Sequence, residues 1–286
     1  MFNNVMLNLE KLPKLIKPLL SAHSKILYEV LGSKLVGVYV HGSATTRGFS
    51  FEQSDIDYIA VIEGPLTDDE RYLLAEKFLE IYGLCVPGNG VEMHIIERKY
   101  AGSAFEYPTP FEFHFGTKEQ IEYFGKKPNK VQFDYDLAGH LKMLKDRGVC
   151  IMGVPINEVF LDISETVFFD SIKKDCEESH ESIMEKTPDD DCWVPSYAVL
   201  NHCRTLFYMQ TGEVCSKIEG GVWALENISA EFKPVIEAAL EDKEKPDIQV
   251  QINGSMLKRF SSFAYGEIEK HKKAHICHPV SAAPRY

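Results

Sequence analysis

Two aspartates separated by one residue, Asp55 and Asp57, stand at the head of an apolar run from Tyr58 to Ile62. Successive strand side chains alternate between faces, so the pair projects from one side of a sheet. Two carboxylates held a few ångströms apart repel, and burying either one alone is costly. A divalent cation between them removes the penalty. Hard oxygen ligands suit Mg²⁺, which keeps several waters and completes its shell with substrate phosphates. Upstream, Gly42-Ser43 closes a first apolar run (Leu35, Val36, Val38, Val40), and eleven residues lie between Ser43 and Asp55. A Gly at a strand end lets main-chain N–H groups approach a phosphate, and the Ser hydroxyl adds a donor. The two features together describe a metal-nucleotide site on a strand, turn, strand unit.

A third carboxylate would complete such a site, as a metal ligand or as a base for an attacking hydroxyl. The stretch GVEMHIIER alternates so that Glu92, His94 and Ile96 share one face and Val91, Met93 and Ile95 the other. Glu92 is the expected third acid, and His94 is read as a neighbour without a part in the chemistry.

The elements that must position these residues follow from periodicity and breakers. Apolar residues at helical spacing run from about Pro18 to Leu31, and Gly32 caps them. Thr67, followed by Asp68, Asp69 and Glu70, opens a helix to about Tyr82. Pro108 and Pro110 bracket an extended piece, FEFHFG reads as strand, Tyr135–Arg147 as helix and VCIMG as a short strand. These complete a domain expected over residues 1–157, with the boundary between Pro155 and Leu161. From there to residue 286 the pattern is helical. Asp162-x-x-Glu165 reads as a capping box for a helix to about Lys186, and TPDDDCWVP as a polar loop. The helix Val194–Thr211 packs Val199, Leu200, Cys203, Leu206 and Phe207, and presents Tyr197, Asn201, Arg204 and Tyr208 as a separate stripe. Ser216-x-x-Glu219 is a second capping box, which puts Lys217 at a helix N-terminus beside Gly220-Gly221, where bare backbone would admit a phosphate. Helices over about 230–242 and 255–271 close a bundle. The fold class is therefore α+β, a mixed sheet with flanking helices followed by an α-helical bundle.

Composition excludes other classes. A net charge of −12 argues against a nucleic-acid-binding surface and suits a cationic small molecule. No apolar stretch approaches the roughly 18 residues of a membrane span. Glu10, Lys11, Lys14 and Lys17 stand where a leader would be apolar, which gives the expectation of a cytoplasmic protein. Seven scattered cysteines without a C-x-x-C pair read as reduced thiols. His275, Cys277 and His278 lack a second ligand pair at finger spacing and read as a tail.

The order Gly-Ser, strand, Asp-Ile-Asp resembles the signature of the nucleotidyltransferase superfamily that includes DNA polymerase beta. LNHCRTLFYMQTGEVCSKIEGGVWAL, together with YVHGSA, SDIDYIAVIEGPLT and VEMHII, closely resembles the bacterial aminoglycoside adenylyltransferases that modify streptomycin and spectinomycin. The resemblance implies transfer of AMP from ATP to an antibiotic hydroxyl, with pyrophosphate leaving. It implies that Asp55 and Asp57 hold Mg²⁺, that Glu92 is the base, and that Gly42 and Ser43 hold the β- and γ-phosphates. Arg204 and Lys217 would contact ATP from the helical domain, and Asp190 and Tyr197 would meet a cationic acceptor. Members that take streptomycin carry a tryptophan where this chain has Thr117-Lys118, which favours spectinomycin. A monomer with no nucleic-acid or membrane partner is expected. Two alternatives are a nucleotidyltransferase acting on a lincosamide, a metabolite or a protein, and a module that binds ATP without turnover. Three intact carboxylates count against the last.

Overall fold

Five of the apolar runs form one mixed sheet. Its strands are β1 (Leu35–His41), β2 (Ile56–Ile62), β3 (Val91–Glu97), β5 (Phe113–Phe115) and β7 (Val149–Gly153), in the spatial order β5-β3-β2-β1-β7. In this computed structural model residues 7–46, 48–83, 88, 90–102, 106–126, 132–245 and 247–277 are described, the last six by main chain only. β1 runs antiparallel to β2 and β7, β2 is parallel to β3, and β3 is antiparallel to β5. A smaller pair joins β4 (Thr109–Phe111) to β6 (Gln132–Asp134). The helices of this part are α1 (Lys17–Leu31), α2 (Asp68–Glu80), α3 (Arg98–Ala101), α4 (Lys118–Lys126), α5 (Leu137–Arg147) and α6 (Ile156–Val159).

The pleat sorts the sheet into two faces. Val40, Tyr58 and Met93 share one face, by the cross-strand partners Val40↔Tyr58 and Tyr58↔Met93. This face is apolar and covered: His23 of α1 shares a hydrogen bond of 2.5 Å with the Tyr58 hydroxyl and packs edge-on or tilted against Tyr58, Phe78 and Phe115. The other face carries His41, Asp57, Glu92, His94 and His114, aligned through His41↔Asp57, Asp57↔Glu92 and His94↔His114. Between β4 and β5 the buried Glu112 takes Arg71 of α2 and the main-chain N–H of Leu66 at 3.2 Å.

The second part consists of α7 (Glu165–Lys186), α8 (Ser196–Thr211), α9 (Lys217–Asn227), α10 (Lys233–Glu244) and α11 (Gly254–Cys277), with a two-stranded ribbon of β8 (Asp191–Trp193) and β9 (Gln251–Asn253). The chain divides into two compact units at Ser171–Ile172, inside α7. The capping box expected from Asp162 does not form. α7 begins at Glu165, and it is the Ser164 hydroxyl that accepts from the Val167 N–H at 3.3 Å. Part of the expected polar loop pairs as β8. No helix among the described residues is long and apolar enough to cross a membrane. Cys277 and His275 lie where side chains are outside the described residues, and His278 beyond them.

Two buried histidines tie stability to pH. Burial pushes His23 down to about 3 and His202, in the second unit, to about 4. Both are neutral when folded and protonate when unfolded below about pH 6.5, so their contribution is present above that value and is lost on acidification. Each should add a slope of up to about 1.4 kcal/mol per pH unit between about pH 6.5 and its folded value. Urea midpoints should fall from pH 7 to pH 5, and His23→Gln should flatten that fall; equal midpoints across the interval would contradict the assignment.

Candidate functional site

β2 and β3 run parallel and in register, so Asp57 and Glu92 stand abreast on the same face. Asp55 stands two positions before Asp57, just ahead of the first residue of β2. His41 ends β1 opposite Asp57, and the chain then turns through a 3₁₀ segment, Gly42–Thr45. Gly42 has φ +67°, and a Cβ built there would lie 2.0 Å from Asp57 Oδ2. This glycine is therefore required both by its left-handed backbone and by the carboxylate that occupies its missing side chain's place. Ser43 Oγ donates weakly to the Asp55 carbonyl at 3.4 Å, so its hydroxyl braces the turn against the start of β2. The donors gathered here are hard carboxylate oxygens of the kind Mg²⁺ takes.

The structure surrounds these acids with imidazoles, which were not expected from the spacing. His94 is buried; its Nδ1 lies 4.0 Å from Glu92 Oε1, and its Nε2 lies 3.4 Å from Asp134 Oδ2 and 2.8 Å from His114 Nδ1. His140 of α5 faces His41 with ring centres 4.9 Å apart. Burial works against a charge on His140, but Glu92, Asp136, Asp57 and Asp134 outweigh it and raise its pKa. Burial, then His140 and His94, hold His41 well below its usual range. Burial and His94 likewise lower His114 to about 4. Asp134 is penalised by burial, yet its hydrogen bond with His94 brings it down to about 2.

In the second unit Arg204 and Lys217 are organised by residues of their own unit. Asp175 of α7 is the hub: it accepts from Tyr197 Oη at 3.0 Å and Asn201 Nδ2 at 2.7 Å, and lies 3.4 Å from Arg204 Nη2. Arg204 Nε also donates to Asn201 Oδ1. Lys217 is the first residue of α9 behind the Ser216/Glu219 capping box, and its ammonium sits 4.0 Å above the Tyr197 ring. The expected exposed stripe is only partly exposed, because Asn201 and Tyr208 are buried. Gly220 and Gly221 do not present bare backbone to a ligand. A Cβ on Gly220 would lie 2.6 Å from Arg204 Cα, and one on Gly221 2.7 Å from Leu200 Cδ2, so the pair lets α9 press against α8. Asp190 is exposed in the turn before β8, where its carbonyl accepts from Gly254 N at 2.9 Å and its neighbour Asp189 pairs with Lys258 at 2.8 Å.

Sequence reasoning missed Asp175, Asp134 and His140, and set His94 aside. Asp175 sits among many acids on an amphipathic helix, and only the tertiary contact marks it. For His94, its place two residues from Glu92 on the same face was a usable signal.

Comparison with known proteins gives a consistent picture. A family profile described as the C-terminal domain of aminoglycoside adenylyltransferase matches residues 158–265. A spectinomycin 9-adenylyltransferase of Staphylococcus aureus is 25% identical over 218 residues, covering 75% of this chain and 80% of that protein. An aminoglycoside (3'') (9) adenylyltransferase of Klebsiella pneumoniae is 23% identical over 240 residues, 82% of this chain and 88% of that one. Among solved structures, the spectinomycin adenylyltransferase AAD(9) of Enterococcus faecalis, crystallised with ATP and spectinomycin, superposes with a TM-score of 0.70. That match has 22% identity and covers 87% of this chain and 98% of that chain, so the α+β fold is shared.

Gly220→Ala should cost about 1–3 kcal/mol, because the added methyl meets backbone that cannot swing away. The loss should appear as a lower urea midpoint. A midpoint equal to that of the unaltered chain would show that α8 and α9 are not packed as described.

Proposed function

The chain belongs to the aminoglycoside adenylyltransferase family, and on that premise we propose that it transfers AMP from ATP to a hydroxyl of a cationic aminoglycoside-type antibiotic, spectinomycin ahead of streptomycin, in the cytoplasm. The observation that supports this reading best is the in-register pairing of Asp57 with Glu92 on one sheet face, with Gly42 held open for the Asp57 carboxylate. Such a pairing keeps a metal-binding acid and a proton-accepting acid side by side without a loop to loosen them.

Asp55 and Asp57 are the proposed ligands of Mg²⁺, whose charge when bound offsets that of the phosphates. Glu92 takes the proton of the acceptor hydroxyl as its oxygen attacks the α-phosphorus. The new P–O bond forms as the bond to pyrophosphate breaks, in line with the attack. The Gly42-Ser43 turn holds the β- and γ-phosphates through its main-chain N–H groups. Arg204 and Lys217 contact ATP from the second unit. Asp175 and Asn201 fix the plane of the Arg204 guanidinium, so less side-chain freedom is lost when a phosphate arrives. Lys217 adds its charge to the positive end of α9. Asp190 and Tyr197 are the proposed acceptor contacts. Asp190 offers an exposed carboxylate to an ammonium group, and Tyr197 offers the part of its ring that Lys217 does not cover.

Thr117-Lys118 carries the proposed preference. Thr117 caps α4 by accepting from the Gln120 N–H at 3.2 Å, and Lys118 stands over the Tyr82 ring at 5.2 Å, so neither supplies an aromatic face there.

Pyrophosphate release from Mg·ATP should depend on spectinomycin and be much weaker with streptomycin. Asp57→Ala should abolish it, and Glu92→Gln should reduce it by about 10²–10⁴-fold with ATP binding retained. Release with neither drug, while ATP still raises the melting temperature, would reject the antibiotic assignment and direct the search to another acceptor.

A further inference from the structure

Glu92, His94 and His140 each aim one ligand atom at a common point, and those three atoms lie within 4.8 Å of one another. They come from β3 and α5, both within the first unit. His94 is fixed in a manner that suits ligation. Its Nε2 lies 3.4 Å from the Asp134 carboxylate, which can only accept, and 2.8 Å from Nδ1 of His114, which can accept as a neutral ring, so a proton on Nε2 meets two acceptors. The Nδ1 lone pair is then left facing Glu92 Oε1 at 4.0 Å, a separation too long for a hydrogen bond. Two electron-pair donors facing each other across such a gap are complementary to a cation. A carboxylate behind a ligating imidazole is the usual support of a zinc-binding histidine.

We propose that Glu92 Oε1, His94 Nδ1 and a ring nitrogen of His140 form a second metal site, selective for a transition-metal ion of the zinc class, which shuts off the enzyme by occupying Glu92. Two imidazole nitrogens and one carboxylate match zinc sites with three protein ligands and one open position. Mg²⁺ demands oxygens and is not served by this set. Metal–ligand bonds of about 2.0–2.1 Å require tetrahedral donors roughly 3.3 Å apart. The side chains must therefore draw in, which the half-buried Glu92 and His140 can do while buried His94 stays fixed. The inhibitory consequence rests on the reading of Glu92 as the base; the binding of metal does not.

Binding is measured first, on the full-length chain without nucleotide or drug, by calorimetric titration of Zn²⁺ under reducing conditions. Co²⁺ is titrated in parallel, because its visible spectrum separates nitrogen and oxygen ligation from thiolate ligation. One ion with a spectrum lacking thiolate bands is expected. His140→Gln and His94→Gln should each weaken it at least tenfold, Asp134→Asn by about tenfold or more, and Asp55→Asn should leave it unchanged. Circular dichroism checks that each variant is folded, and His140→Gln, on a half-buried helix position, is the variant that carries the test if His94→Gln fails to fold. Equal affinity in the unaltered chain and in His140→Gln would overturn the site, as would loss of binding in Asp55→Asn alone. The second stage follows AMP transfer: Zn²⁺ should inhibit, a chelator should restore the rate, and whatever activity His140→Gln retains should resist Zn²⁺. If no acceptor supports transfer, the functional reading fails while the binding result stands by itself.

Discussion

Negative charge gathered on one sheet face is the constraint on which the first unit depends. Asp57 and Glu92 are neighbours across a parallel ladder, and Asp134 and Asp136 add their charge from β6 and the turn that follows it. Carboxylates so close raise one another's cost of ionisation unless something positive stands among them. Here the offset is supplied by imidazoles, with His140 raised by these acids in spite of its burial and His94 hydrogen-bonded to Asp134. An imidazole suits the position because it can be neutral or charged near neutral pH, whereas a lysine would be a permanent competitor for the same oxygens. A histidine raised in this way offsets part of the charge on this face without filling the place of a metal or a phosphate.

The opposite face makes this tolerable. Tyr58, Met93, Phe113 and Phe115 are buried against α1 and α2, and within that layer His23 and Tyr58 satisfy each other with a hydrogen bond. Arg71 and Glu112 form a buried ion pair that joins α2 to the segment between β4 and β5. Such a pair is weak as a source of stability, but breaking it would leave an uncompensated buried charge. Its effect is to fix where β5 lies beside β3, and so where His114 meets His94. Rigidity on the apolar face therefore decides the spacing on the charged one.

The strands of the main sheet and the place of Glu92 beside Asp57 were legible because each depends on a local signal: an apolar run, a glycine at its end, and alternation with period two. Glu92 was picked out by alternation, and in the structure it is the cross-strand partner of Asp57. What escaped was set by tertiary contact. β6, β8 and β9 are three residues each, too short for any period to show. Ser164 rather than Asp162 caps α7, a choice between two adequate caps that only the start of the helix decides. Gly220 and Gly221 looked like a phosphate cradle because bare backbone at a helix start has two uses, and close helix packing is the one the structure adopts.

The same contact explains the organisation of the second unit. Arg204 and Lys217 lie on different helices, and two cations brought together repel, so their approach needs both a geometric cause and an electrostatic one. Gly220 supplies the first by letting the backbone of α9 reach that of Arg204 on α8. Asp175 supplies the second, bound at once to Tyr197, Asn201 and Arg204. Tyr197 then holds Lys217 over its ring, so the position of the lysine is coupled through one phenol to the carboxylate that positions the arginine. A change at Asp175 would therefore disturb both cations, although it touches only one of them directly.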